Sequence, residues 1–477
     1  MRSKQLSKLK LFVVVTLIIA ALVIGRQVLF VHKATEMNVL LISIDTLSPS
    51  NMSTYGYKKK TTPNIDRLAR EAFVFTNATT VVPITHPSLS MLMTGRSAFE
   101  TRIVSNSDPS LSSSNKSLAA RLYEVGYKTA AFISADNSLT QGFEKFDFKY
   151  NKPQFLDVSG EIRQGQNEDD TSKVLVEDAN KWIRENKTTK FFAWVHLSDP
   201  HAPYMPPEGL RCKFNSKYCG EMKEKSTAYF ESLRAKFQSC QEKGVDENTI
   251  GLLQSLYDGA IASSDIQVGN ILHNLEKEGL TKKTIVIIYG DHGEGFDHNY
   301  YFNHGEALYQ SSIRIPLIIK DPRSFRKGVV DRVVQNIDIL PTLLDLLRVN
   351  EEKPNVSGQS FASLFYPISY NPSPRKYSYY LNSSYTKFAI SDGRFKYIMS
   401  HPASCLYKNQ EEELYDLFSD PEETTNLITS KTNIAYTLKS ALNEYLGVYN
   451  LPLYTKDGVV TRDAINKLNE LNSLKNF

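Results

Sequence analysis

Cysteine is scarce in this sequence of 477 residues, which contains only four. None of them forms a Cys-x-x-Cys pair and no histidine accompanies them, so a structural zinc cluster is disfavoured. Three of the four lie close together, and the even number favours one local disulfide in an oxidising compartment. The four residues are Cys212, Cys219, Cys240 and Cys405.

The sequence also lacks an excess of charge outside its first ten residues. Its formal net charge is +4, and Arg2, Lys4, Lys8 and Lys10 account for all of it. The balanced remainder gives no indication of nucleic acid as a partner. No internal repeat is visible, and 41% hydrophobic content in 477 residues allows one large or two unequal domains.

One apolar run follows the four basic residues. It extends from Leu11 to Gly25 and continues past Arg26 and Gln27 to Val31. A membrane span needs about 20 residues. Because no small-x-small cleavage site precedes Arg26, we expect residues 1–36 to be a basic stub with an uncleaved membrane anchor, with a removed signal peptide as the alternative. The basic side stays in the cytoplasm, so the body is expected on the periplasmic or extracellular side, or secreted after cleavage.

Three apolar runs indicate buried strands that end on polar residues. Met37 to Ile44 ends at Asp45, Phe191 to Leu197 leads to Asp199 and His201, and Thr284 to Tyr289 leads to Asp291 and His292. Helix-like stretches separate them, which predicts an α/β fold with a doubly wound, mostly parallel sheet flanked by helices. Ligands of such sheets bind beyond the carboxyl ends of the strands.

The sequence divides into a main domain over 37–350 and a smaller unit. Asp338 to Leu347 is a predicted helix near the domain edge, and short strand candidates follow it. We expect a smaller C-terminal α+β subdomain over 351–450 and a polar tail over 451–477.

Two stretches carry a resemblance to a known family. Residues 37–66, and Thr85 to Arg96 (THPSLSMLMTGR), resemble the sulfatase branch of the alkaline phosphatase superfamily. That family's signature begins with Cys or Ser, continues with Pro, Ser and Arg at its third to fifth positions, and ends Thr-Gly-Arg. Pro87, Ser88 and residues 94–96 match, whereas Thr85 and Leu89 depart.

Both departures concern chemistry. Sulfatases oxidise the leading Cys or Ser to formylglycine, which is not expected at Thr85. The resemblance to phosphodiesterase and phosphotransferase relatives implies instead that the Thr85 hydroxyl binds a metal and attacks, since a free hydroxyl is a poor nucleophile. Leu89 removes a fixed positive charge at the position of the family's arginine.

The resemblance also implies a metal site. Its expected ligands are Asp45, Thr85, Asp291 and His292, around one divalent ion. Calcium is favoured by the family resemblance, while magnesium, manganese or zinc also suit oxygen and imidazole ligands.

Histidines supply the remaining expected site residues. By resemblance, His201 and His304 contact the ester oxygens and can act as general acids, as catalytic residues beside Thr85. His196 and His298 are interpreted as structural, and Lys396 as a surface strand residue. Where many sulfatases have Lys and His, this chain has Ser134 and Asp136, which argues against an ordinary arylsulfatase.

Three functions follow from these expectations. The first is a metal-dependent hydrolase of sulfate or phosphate esters, with Thr85 as metal-bound nucleophile and an anionic ester substrate that a glycan or lipid could carry. The second is a membrane-anchored phosphotransferase for surface glycans or lipids. The third is a catalytically decayed, sulfatase-fold binding protein.

Overall fold

The structure, a computed structural model, describes residues 36–134, 138–148, 171–218, 232, 245–298, 300–349, 355–366, 375–400 and 411–449. The expected N-terminal anchor and the tail lie outside these ranges, as do Asp136, Cys219, Cys240 and Cys405. Within the described ranges no helix has the length and apolarity to cross a membrane. Cys212 is disulfide-bonded, and its pairing falls outside the described residues.

The strands of the described residues form one large and three small sheets. They are β1 (Asn38–Ile44), β2 (Phe73–Phe75), β3 (Ala78–Thr79), β4 (Lys128–Ile133), β5 (Lys145–Phe148), β6 (Phe191–Leu197), β7 (Thr284–Gly290), β8 (Phe296–Asp297), β9 (Tyr300–Tyr301), β10 (Leu317–Lys320), β11 (Gly328–Val330), β12 (Val334–Gln335), β13 (Ser378–Leu381), β14 (Lys387–Ser391), β15 (Phe395–Ser400) and β16 (Glu412–Asp416).

The large sheet has eight strands in the order β11-β2-β10-β7-β1-β6-β4-β5. Every residue of β1, β6 and β7 is buried, as continuous apolar runs predict for strands covered on both faces. These three strands pair in parallel, with Ile42 opposite both Val195 and Ile288. Only β10 runs antiparallel to its neighbours. The predicted mostly parallel sheet is therefore confirmed.

Helices cover both faces of this sheet. The described helices are α1 (Pro63–Ala69), α2 (Thr85–Thr94), α3 (Ala98–Thr101), α4 (Leu118–Glu124), α5 (Thr171–Glu185), α6 (Glu208–Arg211), α7 (Glu247–Lys277), α8 (Gln310–Ile313), α9 (Ile339–Leu347) and α10 (Thr432–Val448). Leu40 and Ile42 pack with α5 and α7, whereas Val39 and Leu41 pack with α2, α4 and α9. Alternating strand residues thus serve two cores, as the period of two in a strand requires.

A four-stranded antiparallel sheet, β13-β14-β15-β16, forms the C-terminal unit with α10. Its core includes Ile390, Tyr397, Leu438 and Leu442. The expected smaller α+β subdomain is therefore present, while its boundary near residue 350 stays a prediction.

Lys396 corrects the interpretation of that sheet. Its side chain is fully buried on β15, not on the surface. The Lys396 ammonium lies 2.5 Å from the Glu423 carboxylate and donates to the Leu308 carbonyl at 2.6 Å. A buried charge needs such partners, so Lys396 links the small sheet to the segment that follows His304.

Candidate active site

Two neighbouring strand ends bring the first acids together. Asp45 follows β1 and Asp291 follows β7, and the last residues of these strands, Ile44 and Gly290, are register partners. Both carboxylates are buried. The carboxyl edge of the sheet therefore holds two carboxylates away from water, where negative charge is costly without a cation.

Asp291 is oriented by backbone amides. Its Oδ1 accepts hydrogen bonds from the amides of Thr46 at 3.0 Å and His292 at 2.8 Å. Its Oδ2 is buried and has no hydrogen-bond partner. Thr46 has φ +55°, an unusual conformation for a threonine, and this conformation accompanies the amide contact with Asp291. One carboxylate oxygen is thus fixed by the backbone and the other is left for a ligand.

His292 presents one nitrogen to both acids. Its Nδ1 donates to the Gly293 carbonyl at 2.9 Å, because a carbonyl can only accept. That tautomer leaves a lone pair on Nε2, which lies 3.6 Å from Asp45 Oδ1 and 3.6 Å from Asp291 Oδ2. Gly293 permits this path, since a Cβ there would lie 1.9 Å from the Ser311 carbonyl oxygen.

Thr85 is the first residue of α2, and its Oγ1 lies 3.3 Å from His292 Nε2. One turn later, the Ser88 hydroxyl donates to the Asp291 carbonyl at 2.6 Å, which ties the helix to the segment that follows β7. The amino end of a helix favours negative charge. The matched signature therefore places a hydroxyl and a partial positive charge beside the acids.

His196 joins this group, although we interpret it from sequence as structural. The ligand atoms of Asp45, His196 and Asp291 all lie within 4.8 Å of one another, and His196 Nε2 is 4.0 Å from Asp45 Oδ2. Its Nδ1 lies 2.8 Å from the Ser43 hydroxyl, which also accepts a hydrogen bond from the Trp194 indole. The available signal was a histidine in the otherwise apolar run FFAWVHL, on the strand beside β1.

His201 and His304 lie together next to these residues. Their ring centroids are 5.1 Å apart, and the His304 ring is 4.3 Å from that of His292. His304 Nδ1 donates to the buried Glu294 carboxylate at 3.1 Å, and Tyr204 donates to the same carboxylate. His201 Nδ1 donates to the Ala202 carbonyl at 2.6 Å. Glu294, which sequence reasoning missed, is three residues after Asp291 and orients His304.

The positions that depart from the signature have different surroundings. Leu89 is fully buried in the apolar core under α2, so that position holds hydrocarbon where the family has a cation. Ser134 donates to the His196 carbonyl at 2.9 Å.

His298 lies apart from these positions. Its ring stacks on Tyr309 and contacts the Glu423 carbonyl, which is compatible with the structural role expected from sequence.

These donors fit a divalent metal ion. Asp45, Asp291 and His292 offer two carboxylates and an imidazole lone pair within a few ångströms, and the Asp291 oxygen without a hydrogen bond faces His292 Nε2. Oxygen and imidazole ligands bind divalent ions at about 2.0–2.6 Å, so ligand atoms separated by 3.6 Å suit a shared ion.

Comparisons with known proteins identify the family of this chain. The Sulfatase family model matches residues 37–349, and the model for the C-terminal part of N-sulphoglucosamine sulphohydrolase matches 297–447. An arylsulfatase of Clostridium perfringens is 26% identical over 468 residues, covering 86% of this chain and 94% of its own.

Two solved structures have the same fold. A protein in complex with its substrate D-glucosamine-2-N,6-O-disulfate has a TM-score of 0.67 at 21% identity, covering 86% of this chain and 98% of its own. The phosphonate monoester hydrolase of Agrobacterium radiobacter has a TM-score of 0.65 at 21% identity, covering 89% and 99%. With the family model matching most of the chain, this protein belongs to the sulfatase family of the alkaline phosphatase superfamily, whose members are ester hydrolases.

Proposed function

We propose that this protein is a metal-dependent hydrolase of sulfate esters in which Thr85 is the nucleophile. The observation that carries the proposal is the position of the Thr85 hydroxyl, 3.3 Å from His292 Nε2 at the start of a buried helix and beside two buried carboxylates. A hydroxyl at a charge-stabilised helix terminus is suited to attack an anionic ester.

Asp45, Asp291, His292 and Thr85 would hold one divalent ion, with His196 as a further candidate ligand. When bound, the ion supplies positive charge that neutralises ester oxygens and lowers the pKa of a hydroxyl. Family resemblance favours calcium, whereas imidazole ligands favour manganese or zinc.

The role of His196 depends on its tautomer. The Ser43 oxygen already accepts a hydrogen bond from Trp194, so the Ser43 hydroxyl can donate one to His196 Nδ1. Nε2 then carries a proton and faces the Asp45 carboxylate, 4.0 Å away. In the opposite tautomer Nε2 has a lone pair and can bind the ion.

The covalent step uses residues of this chain. The Thr85 hydroxyl loses its proton to solvent, and its oxygen forms a bond to sulfur as the bond from sulfur to the organic oxygen breaks. His201 or His304, protonated at Nε2, gives that proton to the leaving oxygen. Water then attacks the sulfur and gives one proton back to the histidine, the bond from sulfur to the Thr85 oxygen breaks, and this oxygen takes a proton from solvent as sulfate leaves. Glu294 holds the His304 ring in place during both steps, because its carboxylate accepts a hydrogen bond from His304 Nδ1.

Phosphate esters are a second candidate substrate class. Formylglycine hydrate carries two oxygens and can expel sulfate by elimination, but Thr85 has a single oxygen, so its ester has to be cleaved at the sulfur or phosphorus by water. Leu89, buried in hydrocarbon, also removes the cation of an ordinary sulfatase. The single oxygen of Thr85 favours phosphorus, whereas the match of residues 37–349 to the Sulfatase family favours sulfur, which is why sulfate esters are proposed first.

The proposed substrate is an anionic ester on an extracytoplasmic glycan. A solved structure with this fold holds a sulfated glucosamine, which supports a glycan by analogy. The disulfide at Cys212 supports an oxidising compartment, and the apolar run before residue 37 supports anchoring in the membrane.

The test is turnover by the full-length protein of matched aryl sulfate, aryl phosphate monoester and aryl phosphodiester substrates, with calcium, magnesium, manganese or zinc. We expect metal-dependent turnover that is lost in Thr85→Ala and retained in part in Thr85→Ser, because serine keeps the hydroxyl. The preferred ester assigns the class.

Two outcomes would contradict the proposal. Turnover that survives Thr85→Ala would show that the Thr85 hydroxyl takes no part in the reaction. Metal binding by calorimetry without turnover of any ester would instead favour a sulfatase-fold binding protein.

A further inference from the structure

We propose that the end of the large sheet at which its parallel strands begin, opposite the active site, docks on an anionic membrane surface. This end of the protein, named the basic edge, carries eight basic side chains from four chain segments. They are Lys128, Lys187, Lys190, Lys282, Lys283, Lys320, Arg326 and Lys327.

The topology places these segments at one end of the sheet. β4, β6 and β7 all run parallel to β1, so their first residues share the edge at which β1 begins. The Lys128 amide donates to the Lys190 carbonyl, and the Tyr127 hydroxyl donates to the Met37 carbonyl. β10 runs the other way and ends there at Lys320. The connection from β10 to β11 therefore lies on the same edge.

Charge on the basic edge is only partly balanced. Lys128, Lys187 and Lys320 pair with Glu144, Glu278 and Glu71 respectively. Among the described residues, no acidic group forms an ion pair with Lys282, Lys283, Arg326 or Lys327, which are all exposed. Three of the eight cations are therefore paired with carboxylates, and the positive charge of this set exceeds the negative charge that pairs with it.

Apolar side chains accompany these cations. Phe325 is 82% exposed and precedes Arg326, and Val329 on the edge strand β11 is 72% exposed. An aromatic ring beside basic residues suits the interface of a bilayer that contains anionic lipid, because the ring enters the headgroup region and the cations meet the lipid phosphates.

The chain itself favours a membrane as the occupant. Met37 lies on this edge, and the segment that precedes it contains the apolar run Leu11 to Val31. A bilayer that holds this run therefore lies within reach of the basic edge.

Docking in this way has a consequence for substrates. The seven-residue β1 separates the edge from Asp45, a distance of about 23 Å at 3.3 Å per residue. The active site then opens away from the lipid headgroups and toward extracytoplasmic glycans.

Tryptophan quenching tests the proposal on the full-length protein. Trp182 and Trp194 are the only tryptophans and both are buried, so Phe325→Trp adds one exposed reporter. Reconstituted in vesicles of brominated phosphatidylcholine with phosphatidylglycerol, the introduced tryptophan should be quenched, and less so without phosphatidylglycerol.

Charge reversals provide the matched comparison. Lys282→Glu with Lys327→Glu should lower the docked-to-undocked ratio by about fivefold or more for each residue. Lys58→Glu with Lys60→Glu reverses two exposed lysines on the connection after the other end of β1 and should leave quenching unchanged. Absence of quenching in anionic vesicles, or equal loss in both pairs, would overturn the proposal; circular dichroism confirms that each variant is folded.

Discussion

The buried pair of Lys396 and Glu423 gives the sharpest prediction about stability. Lys396 is fully buried and Glu423 is 1% exposed. Burial raises the pKa of the Glu423 carboxyl and lowers the pKa of the Lys396 ammonium, so each charge depends on the other. Glu423 also accepts a hydrogen bond from the Gln310 amide at 2.6 Å.

We expect Lys396→Met to lower the free energy of unfolding by about 3–5 kcal/mol, because it leaves the Glu423 carboxylate buried without its cation. Lys396→Met with Glu423→Gln removes both charges and should cost less than the sum of the two single changes. Urea denaturation followed by circular dichroism gives all four free energies of a double-mutant cycle.

A small effect would refute this reasoning. If Lys396→Met costs less than about 0.5 kcal/mol, the residue behaves as a surface lysine. Additive single changes would show that the two groups do not interact. Turnover should fall together with stability, since Lys396 holds the Leu308 carbonyl in the segment after His304.

Three further predictions concern the site and its supports. A divalent ion at 100 times its dissociation constant should add about 2.7 kcal/mol of stability, seen as a higher melting temperature, and Asp291→Asn should abolish the rise. Gly293→Ala should weaken metal binding in calorimetry, because the new Cβ would meet the Ser311 carbonyl at 1.9 Å; unchanged affinity would contradict the geometry. Burial raises the pKa of Asp265 to about 6, so its contribution to stability is complete below about pH 4 and is lost as pH rises through 6. The free energy of unfolding should fall by about 3 kcal/mol over this pH interval. Urea denaturation near pH 4 and above pH 6 should show the decrease in the unmutated protein and not in Asp265→Asn.

The sequence by itself determined the three central strands and the helical stretches between them, and it named most residues of the candidate site. Continuous apolar runs form strands only when both faces are covered, which fixes a parallel sheet and its carboxyl edge. Asp45, Asp291 and His292 are at strand ends, so their proximity follows from sheet order. Thr85 was located by its signature.

Only the tertiary structure decided the roles of residues whose partners are distant in sequence. His196 faces Asp45 from a neighbouring strand, and Glu294 reaches His304 across a loop. The sequence around Lys396 is that of a strand with a lysine on its exposed face. Its burial depends on Glu423 and Leu308, which come from other segments. The basic edge likewise needs several chain segments to start at one end of the sheet. Local periodicity carries no information about such partners, because it records which face of an element is apolar and not what packs against it.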